Sequence, residues 1–128
     1  MPTDLPPARV DAVLFDQVLT NLLENAAKYA PPDAPIVVSA AMAGPMVRVS
    51  VEDGGPGVPR AALPHLFDKF YRVPGRRSTS KKGTGIGLSV VRGLAEAMGG
   101  RVTARASELG GLAVDVDLQA ARTAGAVR

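Results

Sequence analysis

Asn21, Asn25 and Lys28 stand four and then three residues apart in the stretch NLLENAAKYA, residues 21–30. On a helix, at about 100° per residue, the three side chains fall within about 60° of one another and share one stripe. Asn is a poorer helix former than Ala by roughly half a kcal/mol, because its amide competes for backbone hydrogen bonds. A face that needed only to be solvated would be built more cheaply from Glu, Lys or Gln, although a solvated face remains the alternative reading. A neutral amide oxygen is a hard ligand suited to Mg²⁺, and it leaves the charge balance to phosphates. A lysine one turn further on can then meet those phosphates. Glu24 points roughly 100° away from Asn25 and reads as solvated or as a supporting group.

A second group of this kind ends an alternating apolar stretch. In EDGGPGVP, Asp53 is followed by Gly54, Gly55 and Gly57. Glycines let a backbone approach a flat ligand closely and adopt positive φ. A carboxylate at such a place can accept the exocyclic amine of a base. A plain turn competes with this reading, but VPRAALPH is a poor return strand. The third group is GTGIGL, Gly83 to Leu88, at the start of a helical pattern, where free N–H groups and the helix dipole favour an anion. Its glycines alternate and follow a basic loop, so it is not the dinucleotide fingerprint, and no G-x-x-x-x-G-K-[ST] motif is present. A structural loop-to-helix junction is its alternative.

Lys69, Arg72, Arg76, Arg77, Lys81 and Lys82 carry +6 with no acid between 69 and 82, so the remainder sums to −3 against a total of +3. Such a run attracts polyanions, whether nucleic acid, an acidic membrane surface or a nucleoside triphosphate. Arg72 is the candidate for a phosphate contact. Phe67 and Phe70 read as core packing, and His65 as a surface or packing histidine with no acid beside it to form a dyad. The chain has no cysteine and this one histidine, which excludes disulfides, thiolate chemistry and a Cys/His zinc site.

These groups must be positioned by elements that the periodicity suggests. After a Pro-rich lead, ARVDA reads as a short strand, and Asp11 as the N-cap of a helix to about Ala30, stopped by Pro31-Pro32. Its apolar side is Phe15, Val18, Leu19, Leu22, Leu23, Ala26 and Ala30. PIVVSAAM and MVRVSVED predict a hairpin around AGP, with Val47, Val49 and Val51 alternating against Arg48, Ser50 and Glu52. A helical turn is expected over Ala61–Phe67, and a second amphipathic helix from about Ile86 to Met98 with the stripe Leu88, Val91, Leu94, Ala95 and Met98. RVTARAS and LAVDVDL predict a closing hairpin around Leu109-Gly110-Gly111, and residues 119–128 a frayed tail. At 128 residues the expectation is one domain, with a core over about 8–118. Its fold class is α+β, two layers with a mostly antiparallel sheet and helices on one face. No apolar run approaches the ~20 residues of a membrane helix, and no signal peptide is evident, so no membrane contact is expected from these residues.

Together, NLLENAAKY, DGGPG, LFDKFYR and GTGIGLSVV resemble, in order and spacing, the N, G1, F and G2 boxes of the catalytic and ATP-binding domain of sensor histidine kinases. That domain shares the Bergerat nucleotide fold with gyrase, Hsp90 and MutL. The resemblance spans about Ala8 to Leu118, and LFDQVLTNLLENAAKYA looks most like the potassium-sensing KdpD subgroup. It implies an α/β sandwich with a mixed sheet, and ATP lying between two long helices under a flexible lid. Asn25 then matches the Mg²⁺ ligand, Lys28 a phosphate contact, Asn21 a further polar contact, and Tyr29 the aromatic lining of the nucleotide pocket. Asp53 matches the adenine-binding carboxylate, with Gly55 and Gly57 shaping the pocket and Arg72 near the terminal phosphate. Gly83, Thr84, Gly85, Gly87 and Leu88 match the lid hinge and the start of the phosphate-binding helix. Many members have Asn where this chain has Gly54, so a side-chain hydrogen bond is missing there.

The resemblance implies transfer of the ATP γ-phosphoryl group to a histidine on a preceding helical dimerisation domain, and from there to an aspartate of a response regulator. Nothing upstream of Asp11 reads as that domain, so the expectation is an excised catalytic domain, cytoplasmic, from a membrane-anchored sensor. In the ATPases of this fold a glutamate stands where Asn21 is. An amide cannot act as general base, which argues for phosphotransfer over hydrolysis. An anti-sigma-type serine kinase is the rival within the fold. A nucleic-acid binder using residues 69–82 is the rival outside it, without any base-reading motif to support it.

Overall fold

The computed structural model describes residues 12–71, 73 and 87–119. Helix α1 is Ala12–Tyr29, and the Ala30 N–H closes it onto the Ala26 carbonyl at 2.9 Å just before Pro31 and Pro32. Strands β1 (Ile36–Ala43) and β2 (Met46–Asp53) follow, joined by Gly44-Pro45 with Gly44 at φ +61°. A 3₁₀ helix occupies Arg60–His65, slightly earlier than expected. Helix α2 is Gly87–Ala97. It stops where Gly99, at φ +76°, donates to Glu96 O at 2.9 Å and Gly100 donates to Ala95 O at 2.9 Å, the paired bonds of a glycine C-cap. Strands β3 (Arg101–Ala106) and β4 (Leu112–Gln119) complete the chain. The strand expected over ARVDA and the tail beyond Gln119 lie outside the described residues.

The four strands form one sheet in the order β1-β2-β4-β3. Every described pair is antiparallel, so the parallel component of a mixed sheet is not found among the described strands. Strands β2 and β4 occupy the centre, aligned so that Val51 faces Val114, Val49 faces Val116 and Val47 faces Leu118. Side chains alternate across a sheet, so these residues share one face. That face packs on α1 through Val18, Leu22 and Ala26 and on α2 through Val91 and Ala95, all buried. Both apolar stripes read from the sequence are therefore in the core, and the fold is the two-layer arrangement expected.

The opposite face of the sheet is polar and cross-braced. Arg48 donates to both carboxylate oxygens of Asp117 at 2.7 and 3.0 Å, and Arg101 Nε donates to the same group at 3.1 Å. Asp115 accepts from Ser50 Oγ at 2.6 Å and from Arg105 Nε at 2.8 Å. No described helix is long and apolar enough to cross a membrane.

Candidate functional site

Strand β2 ends on Asp53, on the helix-covered side of the sheet, and the residue is 3% exposed. Burial of a charged group requires partners. Oδ1 accepts from the Gly55 N–H at 2.8 Å and from the Leu112 N–H at 3.3 Å. The Asp53 carbonyl accepts from the Gly111 N–H at 3.1 Å, and Gly54 N–H donates to Pro35 O at 3.0 Å. Among the described residues Oδ2 takes no partner, which leaves it an acceptor for something else. Glycine is needed around it. A Cβ on Gly55 would stand 3.1 Å from Ala30 Cα, just past the end of α1, and Gly57 has φ +74°. The loop after β2 is thus pressed against the C-terminal end of α1. Gly54 faces the Pro35 ring, where a Cβ would stand at 2.9 Å, so a larger side chain would need this contact to shift.

Helix α1 supplies the second part. Asn21, Asn25, Lys28 and Tyr29 are half-buried and Glu24 is exposed, so the stripe lies at the margin of the core. Lys28 Nζ lies 5.1 Å from the Tyr29 ring centroid, over its face. Among the described residues no group of three His, Cys, Asp or Glu side chains could hold a metal. An amide donor set of this kind suits only a cation that brings oxygen ligands of its own, as Mg²⁺ with a polyphosphate does. Gly87 opens α2, and Leu88 is half-buried against the core. Arg72, Gly83, Thr84 and Gly85 lie outside the described residues, as does most of the basic run.

The segment between β2 and α2 departs from expectation twice. His65 does have an acid beside it: Nδ1 lies 3.1 Å from Asp68 Oδ2, because the 3₁₀ helix and the turn after it bring residues three apart together. Asp68 also faces Arg92 on α2 at 3.5 Å, and the Tyr71 ring centroid is 5.6 Å from that of His65. Phe67 is buried as expected. Phe70 is not core: it is 65% exposed, because its backbone takes φ +66° and turns the ring outward, with Lys69 Nζ 5.2 Å from its centroid. The close approach of the β3–β4 turn to Asp53 had not been read from the sequence either, where Gly110-Gly111 signalled only a hairpin.

Residues 10–122 match the family described as histidine kinase-, DNA gyrase B-, and HSP90-like ATPase. The chain belongs to this family. Within it, the sensor protein KdpD of Mycobacterium tuberculosis is 45% identical over 113 residues, covering 88% of this chain and 13% of that protein. KdpD of Escherichia coli is 39% identical over 118 residues, covering 92% of this chain and 13% of that protein. The KdpD-like character read from the first helix agrees with these matches. Among solved structures, the mycobacterial sensor histidine kinase MprB superposes with a TM-score of 0.78 at 27% identity, over 91% of this chain and 80% of that one. Full-length ShkA in complex with AMPPNP gives 0.70 at 32% identity, over 93% of this chain and 24% of that one. The chain thus spans a small part of the curated relatives it matches. What it shares with the solved structures is the two-layer fold.

Proposed function

We propose that this chain binds Mg·ATP and acts as the catalytic domain of a two-component sensor kinase, with the acceptor histidine supplied by another domain or chain. The observation that carries this reading is Asp53: a buried carboxylate with one oxygen held by two backbone N–H groups and the other left without a partner among the described residues. Oδ2 accepts the exocyclic amine of adenine, and Gly55 and Gly57 let the loop lie against the base. Tyr29 lines the pocket. The Asn25 amide oxygen would hold Mg²⁺, which would supply charge neutralisation at the phosphates, and Asn21 lies on the same polar edge. Lys28 and Arg72 are assigned the phosphate contacts, stabilising the charge that develops as the γ-phosphoryl group moves to an imidazole nitrogen and ADP departs. Gly83, Thr84, Gly85, Gly87 and Leu88 are assigned phosphate binding on their resemblance to the family's glycine box, and Gly87 and Leu88 stand at the start of α2, where a helix N-terminus favours an anion. The likeness to sensor kinases supports relay of the phosphoryl group to a response-regulator aspartate.

Calorimetric titration of ADP and of a non-hydrolysable ATP analogue, with and without Mg²⁺, tests this. Wild type is expected to bind both, Asp53→Ala to lose at least about tenfold in affinity, and Asn25→Ala to lose the magnesium dependence while keeping base recognition. Unchanged binding in both variants would reject the site.

A further inference from the structure

The turn between β3 and β4 is tied to the end of β2 from several directions. Ser107 is buried; its Oγ donates to Glu52 Oε1 at 3.0 Å and accepts from the Leu109 N–H at 2.9 Å. Its N–H donates to Gly111 O at 2.8 Å, and Gly110 N–H donates to Ser107 O at 3.0 Å. Arg105 reaches Glu52 Oε2 at 3.7 Å. From this braced turn Gly111 N–H reaches the Asp53 carbonyl and Leu112 N–H reaches Oδ1. The approach requires a bare Cα. A Cβ on Gly111 would overlap Asp53 Oδ1, and would stand 2.5 Å from Asp53 O and 2.7 Å from Gly55 N. Those contacts are with backbone and with the carboxylate itself, so no flexible side-chain end can move aside. Gly110 differs: its φ is +103°, but a Cβ there meets nothing within 4 Å.

We infer that Gly111 is a positioning residue for base recognition, its missing side chain letting the β3–β4 turn hold Asp53 Oδ1 so that Oδ2 is the oxygen presented to a 6-amino purine. The inference rests on the reading of Asp53 given above. A carboxylate oxygen fixed in this way accepts from the N–H of a 6-amino group and repels the carbonyl of a 6-oxo purine. Selectivity between the two therefore reports how firmly Oδ1 is held. Phosphate and magnesium contacts are common to both nucleotides and cancel in the ratio.

The test is calorimetric titration of ADP and IDP into wild type, Asp53→Ala, Gly111→Ala and Gly110→Ala. Wild type is expected to prefer ADP by about tenfold or more, the scale of a hydrogen bond to a charged group. Asp53→Ala and Gly111→Ala should bring the ratio close to one, whereas Gly110→Ala, strained at the same turn, should keep it. A merely structural role for Gly111 would weaken both nucleotides equally and leave the ratio at the wild-type value, which overturns the inference; so would a lost ratio in Gly110→Ala. No preference in wild type, or a preference that survives Asp53→Ala, rejects the reading of Asp53 itself. Should Gly111→Ala not fold, amide-proton shifts of Gly55 and Leu112 are compared between wild type and Asp53→Asn. Both are expected to move as the charged acceptor becomes neutral, and an unmoved Leu112 overturns the contact.

Discussion

Asp117 is 1% exposed although it projects from the sheet face that no described helix covers. The guanidinium groups of Arg48 and Arg101 both bond to it there. Hydrogen bonding from Arg48 holds the Asp117 carboxyl below its ordinary range, against desolvation, with Arg101 adding to the effect. A depressed folded-state pKa means stability that is fully present above the ordinary carboxyl value and is lost as pH falls through the folded one. Arg48→Met keeps most of the stem and removes the charge. It is expected to shift the acid-unfolding midpoint to higher pH and to cost about 1 kcal/mol at neutral pH, a modest figure because Arg48 is part-exposed and Arg101 remains. Circular dichroism across an acid titration measures both. The outward placement of Arg48, Ser50 and Glu52 was legible from alternation, but their partners were not. Pairing Arg48 with Asp117 requires the β2–β4 register, which local sequence does not encode. The His65–Asp68 contact was missed for a smaller reason, a turn that brings residues three apart together where the sequence suggested no fixed geometry.

The two helices were the most legible elements, since each stripe sustains a 3.6-residue period over several turns and ends at Pro or Gly. Leu22 is 2% exposed where α1 meets the core. Leu22→Ala is expected to destabilise by about 3 kcal/mol in chemical denaturation. Gly93 breaks the propensity rule in α2: it lies in the helix interior, and a Cβ there would meet nothing within 4 Å. Gly93→Ala should therefore stabilise by about 1 kcal/mol, seen as a rise of about 4 °C in the thermal midpoint. A null result would mean that the glycine's freedom is not lost on folding. Phe70 was not legible at this scale. A phenylalanine three residues after a buried one looks like helical packing until the backbone leaves the helical region, and few non-glycine residues do so.

At the scale of the molecule the sheet sets the hierarchy of stability. Strands β2 and β4 each pair on both sides, while β1 and β3 are edges among the described strands. Amide exchange is expected to be slowest in β2 and β4, with β1 exchanging sooner although its sequence is the more apolar; equal protection of all strands would contradict this order. The hairpins were legible because each is local, whereas the central β2–β4 pairing was not, since nothing in either strand names its distant partner. The candidate base site inherits this non-locality. Asp53 Oδ1 is held by Leu112, 59 residues further along the chain. During synthesis, the stretch carrying the asparagines and Asp53 leaves the ribosome well before the turn that orients the carboxylate. On the proposed reading, a nascent or truncated chain ending before Gly111 carries Asp53 and the asparagines without the arrangement that orients the carboxylate, and base selectivity waits on the β3–β4 hairpin.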